Sequence, residues 1–476
     1  MTDLPHAELT QLFALFNARR YAEMEQRTLS LLERFPLAGE AWKALGVALQ
    51  VQGKVEQALP ALQHAMQLLP RDADLPSNLG NLLQDRGRFD EAADCYRRAL
   101  QLKPDFAEAH GNLGLALSRS GQLDEALQAL GRALQLKPGF AEAHNNLGNV
   151  LTALGRLPEA LDSYRRALSL KPDLALAHHK LGNALRLAGQ LEAAAASQTR
   201  ALALNPRYTA ACAALADTLA ELGRFEEALD SFGRGLQLDP NSAELHNNIG
   251  NALKALGRYD EALACYGQAL ALRADYPVAL SNRAIVLKAL GRFDEARCDY
   301  QRALELAPDS FETRSDLLFL NHYQSSADPE ARLEQARQFG RSAADKARPY
   351  RSWRVLAEPD KRLRVGLVSG DLRSHPVGYF AESVLRALAA TGSVELVVYA
   401  NNRDEDGLSA RIRASCSAWH PVLGLPDERL AAQIHDEDAI DILLDLAGHT
   451  ARNRLPLFAW KAAPLQMSWL GYCGST

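Results

Sequence analysis

Between residues 40 and 308 small, apolar and turn-forming residues return in register every 34 residues or about that, and each period reads as helix, turn, helix, stop. In residues 106–138, Ala109-His110-Gly111-Asn112-Leu113-Gly114 opens a first helix and Gly121 breaks it. Ala126 and Ala133 let a second helix pack closely, and Pro138 forbids continuation. A small residue follows the first helix's leucine at Gly46, Gly80, Gly114, Gly148, Gly182 and Gly250, with Ala216 and Ala284 as substitutes. The turn glycine recurs at Gly53, Gly87, Gly121, Gly155, Gly189, Gly223, Gly257 and Gly291. The stop proline is replaced only by Ala274, with Pro277 nearby. Each helix pair is apolar on two sides, so neighbours must stack.

This grammar is that of a tetratricopeptide array, an α-solenoid, and it assigns residues 40–308 to the regular repeats. Residues 1–39 keep a blurred copy, with Leu12 in the glycine place and Pro36 at the stop, as expected of a terminal cap. Residues 309–360 read as a capping helix over 310–323, a prolyl and polar break at 324–329, and a helix over 330–348 before Pro349 and Pro359.

At Lys361 the period changes to that of strands. Residues 362–369, 394–399, 440–446 and 465–470 are short apolar runs, separated by helices predicted over 376–390, 407–415 and 430–436. Such alternation predicts a parallel, Rossmann-like α/β half domain over 361–476. Ligands of these sheets bind at the carboxyl ends of the strands. Two loops there carry chemistry, Asp371-Leu372-Arg373-Ser374-His375-Pro376 and Asp445-Leu446-Ala447-Gly448-His449-Thr450. Asp438 and Asp441, at the opposite end of a strand, are expected to be solvated.

Asparagine returns at one helical phase of the array. Asn78, Asn112, Asn146, Asn248 and Asn282 stand two residues before the small residue, and Asn81, Asn149, Asn183 and Asn251 one after it. Asparagine is a mediocre helix former, so its return needs a reason. An amide offers donor and acceptor together and can pair with the backbone of an extended peptide whatever its sequence. The alternative is that these amides solvate the helix or bond to one another between repeats.

The 476-residue chain carries a formal net charge of -5 and no lysine- and arginine-rich run with interleaved aromatics, which argues against nucleic acid. It opens without a basic, apolar leader and has no apolar run of roughly 18 residues, so a cytoplasmic protein off the membrane is expected. The cysteines form no CxxC pair, so neither disulfide framework nor structural zinc is expected. Oligomeric state is not legible.

Taken together, the asparagine-bearing array, Arg362-Leu363-Arg364-Val365-Gly366, Ser374-His375-Pro376, Asp445-Leu446-Ala447-Gly448-His449-Thr450, Ala463-Pro464-Leu465-Gln466 and Trp469-Leu470-Gly471-Tyr472 resemble the O-linked N-acetylglucosamine transferase family, especially its bacterial SPINDLY-like members. The resemblance implies inverting, metal-independent transfer of N-acetylglucosamine from UDP-N-acetylglucosamine to serine or threonine of a polypeptide held by the array, with no cofactor. A SPINDLY-like donor would be GDP-fucose instead. It also implies that His375 lies beside sugar and acceptor, and that the turn from Asp445 through His449 to Thr450 is the other cleft segment. His375 and Asp445 are both candidates to accept the hydroxyl proton. His375 can equally cap the helix that Pro376 begins, Asp445 can fix its loop through backbone amides, and His449 can be a turn residue. The family's second lobe, which holds the nucleotide, finds no match here, and Cys473 stands where a proline is usual. The chain alone is therefore expected to transfer little sugar, and a binding scaffold without catalysis is the rival reading.

Overall fold

The turn glycines occupy a conformation that ends one helix and lets the next begin after three residues. At Gly155, φ is 74°, a left-handed value that side chains disfavour. The amide of Gly155 donates to Thr152 O at 3.0 Å and that of Arg156 to Leu151 O at 2.8 Å, the paired bonds that close a helix end on a left-handed residue. The glycine after the leucine has a different cause. A Cβ on Gly148 would stand 2.6 Å from the Tyr164 ring, so only a bare Cα lets the second helix come this close.

The computed structural model describes residues 4–323, 329–353, 361–403 and 405–470. The linker marks at 324–328 and Pro359, and residues 471–476 with Cys473, lie outside the described residues. By contact the chain divides into two compact units, Met1–Pro240 and Asn241–Thr476. That division falls within the array rather than at residue 308, because each repeat touches chiefly its neighbours and an array has no boundary of its own.

In the first unit the helices pair as α1 (His6–Asn17) with α2 (Tyr21–Arg34), α3 (Gly39–Val51) with α4 (Val55–Leu68), and α5 (Asp74–Asp85) with α6 (Phe89–Leu102). They continue as α7 (Ala107–Arg119) with α8 (Leu123–Leu136), and α9 (Ala141–Ala153) with α10 (Leu157–Leu170). The last pairs are α11 (Ala175–Leu187) with α12 (Leu191–Leu204), and α13 (Thr209–Glu221) with α14 (Phe225–Leu238). Leu12, in the glycine place of the atypical first pair, is buried.

The second unit holds α15 (Ala243–Ala255) with α16 (Tyr259–Leu272), and α17 (Pro277–Ala289) with α18 (Phe293–Leu306). Two further helices follow, α19 (Phe311–Leu320) and α20 (Pro329–Lys346), and then an α/β layer structure. Its strands are β1 (Leu363–Ser369), β2 (Val394–Ala400), β3 (Ala418–Pro421), β4 (Ile442–Asp445) and β5 (Leu465–Ser468). They form one parallel sheet in the order β3-β2-β1-β4-β5. Its helices are α21 (Pro376–Ala390), α22 (Gly407–Arg413) and α23 (Asp427–Ala432). Successive β1 and β2 side chains feed opposite cores. Val365, Leu367, Leu396 and Val398 pack with Ala381 and Leu385 of α21, whereas Val368, Val397 and Tyr399 pack with Leu430 and Ala431 of α23. Both faces are covered, as a parallel sheet requires.

The chain winds outward from β1 through β2 to β3 and then returns to the other side of β1 for β4. The sheet order therefore reverses between β1 and β4, which in such sheets is where the ligand crevice lies, at the strands' carboxyl ends. Among the described residues no helix is long and apolar enough to cross a membrane.

The expectation that Asp438 and Asp441 are solvated is corrected. Asp441 is buried and accepts from Lys361 Nζ at 2.6 Å and from the Arg364 amide at 2.9 Å, while Asp438 accepts from Tyr399 Oη at 2.8 Å. Asp441 fastens the start of β1, where a charged lysine and a backbone donor need a partner, and Asp438 serves the buried phenol of Tyr399 near the end of β2.

Candidate functional site

Val368 of β1 and Asp445 of β4 are register partners, so the loops that follow these strands leave side by side. On the β1 side the Asp371 amide donates to Ser369 Oγ at 3.0 Å, which turns the buried Asp371 carboxylate toward the β4 loop. Thr450 Oγ1 lies 3.4 Å from Asp371 Oδ2 and 2.9 Å from Ala447 O. Asn401, just past β2, donates its amide to Ser369 O at 2.8 Å and its side chain to Arg452 O at 2.8 Å. Its Oδ1 is buried with no partner among the described residues. Asp371, Asn401 and Thr450 thus ring the crevice with acceptor oxygens and one hydroxyl, a lining suited to sugar hydroxyls or backbone amides.

His375 is the residue before α21, and its Nδ1 accepts from the Val377 amide at 3.3 Å. With Nδ1 taken up by a backbone donor, Nε2 is the ring atom left to meet a ligand. The loop is secured from behind by Asp406, which accepts from the Ser374 amide at 2.7 Å and caps α22 through the Leu408 and Ser409 amides, both at 2.9 Å. Those backbone donors, Ser409's first, hold the Asp406 carboxyl well below the usual range.

Asp445 is 1% exposed. Its Oδ1 accepts from the Ala447 amide at 3.1 Å, and its Oδ2 from the Gly448 amide at 2.9 Å and Ser468 Oγ at 3.1 Å. Burial pushes its carboxyl up against the lowering effect of these donors. Both oxygens are thereby committed to shaping the loop. His449 points away from the crevice: it is 3% exposed, and its Nδ1 lies 3.0 Å from Ser315 Oγ of α19. The structure therefore brings Thr450 to the crevice, puts Asp445 beneath it as a brace, and places His449 behind it. No hydrogen bond links His375 to Asp445 among the described residues.

The asparagines divide in the same way. In the second ladder position, Asn81, Asn149 and Asn251 accept through Oδ1 from Tyr96, Tyr164 and Tyr266 Oη at 2.7, 2.8 and 2.8 Å, and Asn183 accepts from Gln198 Nε2 at 3.2 Å. The phenol buried against the glycine needs an acceptor, and the asparagine supplies it. In the first position, Asn112 donates to Asn81 at 2.9 Å. Asn282 donates to Asn247 at 3.0 Å and accepts from Lys254 at 3.4 Å, so both its ends are used within the array. Asn146 and Asn248 accept from Asn145 and Asn247 at 3.4 and 3.1 Å. Asn78 and Asn81 line a groove of about 480 Å³ in the first unit with Leu12, Phe13, Val47 and Phe106.

Sequence reasoning missed Asn401 and the part of Asp371; both follow the last apolar residue of a strand, which was the available signal. No cluster of three or more His, Cys, Asp or Glu side chains able to hold a metal occurs among the described residues.

The array and the reversal point of the sheet define a tetratricopeptide repeat protein joined to a Rossmann-like α/β lobe, and comparison with known proteins says what that class is similar to. Residues 337–476 match glycosyl transferase family 41. Tetratricopeptide repeat families match residues 80–121, 117–154, 148–186 and 216–257, as well as 175–208 and 241–309. The chain is 30% identical over 173 residues to the "Probable UDP-N-acetylglucosamine--peptide N-acetylglucosaminyltransferase SPINDLY" of Petunia hybrida, a match over 36% of this chain and 18% of that protein. The protein of the same name from Oryza sativa subsp. japonica is 34% identical over 175 residues, 36% of this chain and 18% of its own length. A solved O-GlcNAc transferase mutant from Thermobaculum terrenum is 34% identical with a TM-score of 0.52, over 56% of this chain and 50% of that one. The chain thus spans under a fifth of the plant relatives it matches. In make-up it resembles the O-GlcNAc-transferase-like proteins, as tetratricopeptide repeats followed by a segment that matches part of a family 41 catalytic region.

Proposed function

We propose that the chain is the acceptor-holding part of a protein O-glycosyltransferase that uses UDP-N-acetylglucosamine and needs neither metal nor cofactor. The observation that carries this reading is the meeting of the β1 and β4 loops through Asp371 and Thr450 at the sheet's reversal point, inside the segment that matches family 41. The relatives' names favour N-acetylglucosamine over fucose as the sugar. In the transfer, a serine or threonine oxygen bonds to the anomeric carbon, the bond from that carbon to the diphosphate oxygen breaks, and the hydroxyl proton passes to an anionic oxygen, of the departing diphosphate or of the Asp371 carboxylate. His375, its Nδ1 taken up by the Val377 amide, serves through Nε2–H as a donor to a sugar or phosphate oxygen rather than as the base. Asp445 keeps the β4 loop in shape, and Asp371 is the crevice carboxylate nearest Thr450.

The repeats take an extended polypeptide through those amide ends that the tyrosines and neighbouring repeats leave available, Asn78 and Asn146 first among them. Fluorescence anisotropy with a labelled serine- and threonine-containing peptide tests this. Replacing Asn78, Asn112 and Asn146 together by alanine should weaken binding at least tenfold while the helical melt barely moves; unaltered affinity overturns the reading.

A further inference from the structure

One residue before the ladder's first position, the first helices carry a second row, Lys43, Ser77, Gly111, Asn145, His179, Ala213, Asn247 and Ser281, and Ser315 of α19 continues its phase. Gly111, His179, Asn247 and Ser281 each meet the segment that follows in the array. In the first unit a Cβ on Gly111 would lie 2.8 Å from the Phe140 ring, and the His179 ring centre lies 5.0 Å from that of Tyr208. In the second unit Asn247 Oδ1 accepts from Asn282, and Ser281 Oγ lies 3.0 Å from Thr313 Oγ1 of α19. This row is the stacking position, where one pair is fastened to the next.

Ser315 is its last member, and what meets it is the loop after β4. Ser315 Oγ lies 3.0 Å from His449 Nδ1 and accepts from Asn453 Nδ2 at 3.3 Å, and the Asn453 amide also donates to Thr450 O at 2.9 Å. Ser315 and His449 are each 3% exposed. Phe339 of α20 meets the imidazole edge-on, with ring centres 5.0 Å apart. The imidazole therefore fills the seat that a side chain of the next repeat fills elsewhere.

We infer that the β4 loop docks on α19 as a surrogate repeat, with His449 as a positioning residue, so that the last helix of the array, and not the sheet alone, sets where Thr450 stands relative to Asp371. Its bearing on transfer rests on the proposed function; its geometry does not. A buried hydrogen bond between hydroxyl and imidazole holds its two elements because either group left unpartnered costs free energy.

Amide hydrogen exchange on the 476-residue chain tests the inference. His449→Ala and Ser315→Ala should each speed exchange of the Ala447, Gly448 and Thr450 amides at least tenfold, with α3 to α16 and β2 unchanged. His449→Asn, whose amide can stand where Nδ1 stood, should restore most of the protection. Ser281→Ala, one repeat earlier, should leave the loop as in the wild type. Unchanged loop exchange in both alanine variants overturns the inference, as does acceleration spread evenly over the sheet. Should His449→Ala fail to fold, Ser315→Ala carries the test alone. Loss of peptide binding in the anisotropy experiment would remove the proposed function and leave this result standing.

Discussion

Asp445→Ala should destabilise the α/β lobe by about 3 kcal/mol, since it leaves the Ala447 and Gly448 amides and the Ser468 hydroxyl without an acceptor in a site that is 1% exposed. Part of the loss is offset because the wild-type carboxylate is itself held in a buried place, which the upward displacement of its pKa reflects. Asp445→Asn keeps the shape and one acceptor oxygen but aims an NH2 group at a backbone donor, so it should cost less than alanine without being neutral. Trp353, Trp419, Trp460 and Trp469 all belong to the second unit, and their fluorescence during urea unfolding would follow the lobe. A change under about 0.5 kcal/mol for alanine would show that the loop is braced by something other than this carboxylate.

Gly148→Val should cost about 3 kcal/mol, because its Cβ would lie 2.6 Å from Cε1 of a tyrosine that is 1% exposed and has no room to retreat. The damage should not stop at the contact. Moving the Tyr164 ring also draws its hydroxyl from Asn149, so the second ladder position would lose its anchor. Gly155→Ala should cost about 1 kcal/mol for a different reason, strain at φ 74° in open space. Circular dichroism melts of the two variants separate the mechanisms. Because repeats are stabilised chiefly by nearest neighbours, the valine variant should also broaden or split the transition.

The repeats were legible because geometry forces the residues that mark them: a bare Cα where a ring lies on the helix, a left-handed turn, a proline stop. The reading of β1, β2, β4 and β5 followed from apolar runs bounded by turn residues. Strand β3 escaped because Ala418–Pro421 is a four-residue edge strand that contains a histidine and a proline, and no alternation shows in so short a stretch. The asparagine ladder was seen as one feature and is two. Its second position answers Tyr96, Tyr164, Gln198 and Tyr266, each 15 residues further on, a pairing present in the sequence that only burial explains. His449 could not be assigned from its motif, since its partner Ser315 is 134 residues away in sequence. The use of Asp445 was open between proton transfer and loop bracing, and only the three donors around it favour bracing.

On the proposed function, sugar donor and acceptor meet over the loops at the β1 and β4 carboxyl ends. Amide hydrogen exchange with UDP-N-acetylglucosamine and an acceptor peptide added together tests it most directly. Exchange should slow at residues 371–376 and 447–452, with β3 unaffected. Protection confined to the β3 side of the sheet, or none in these two loops at saturating peptide, would contradict it.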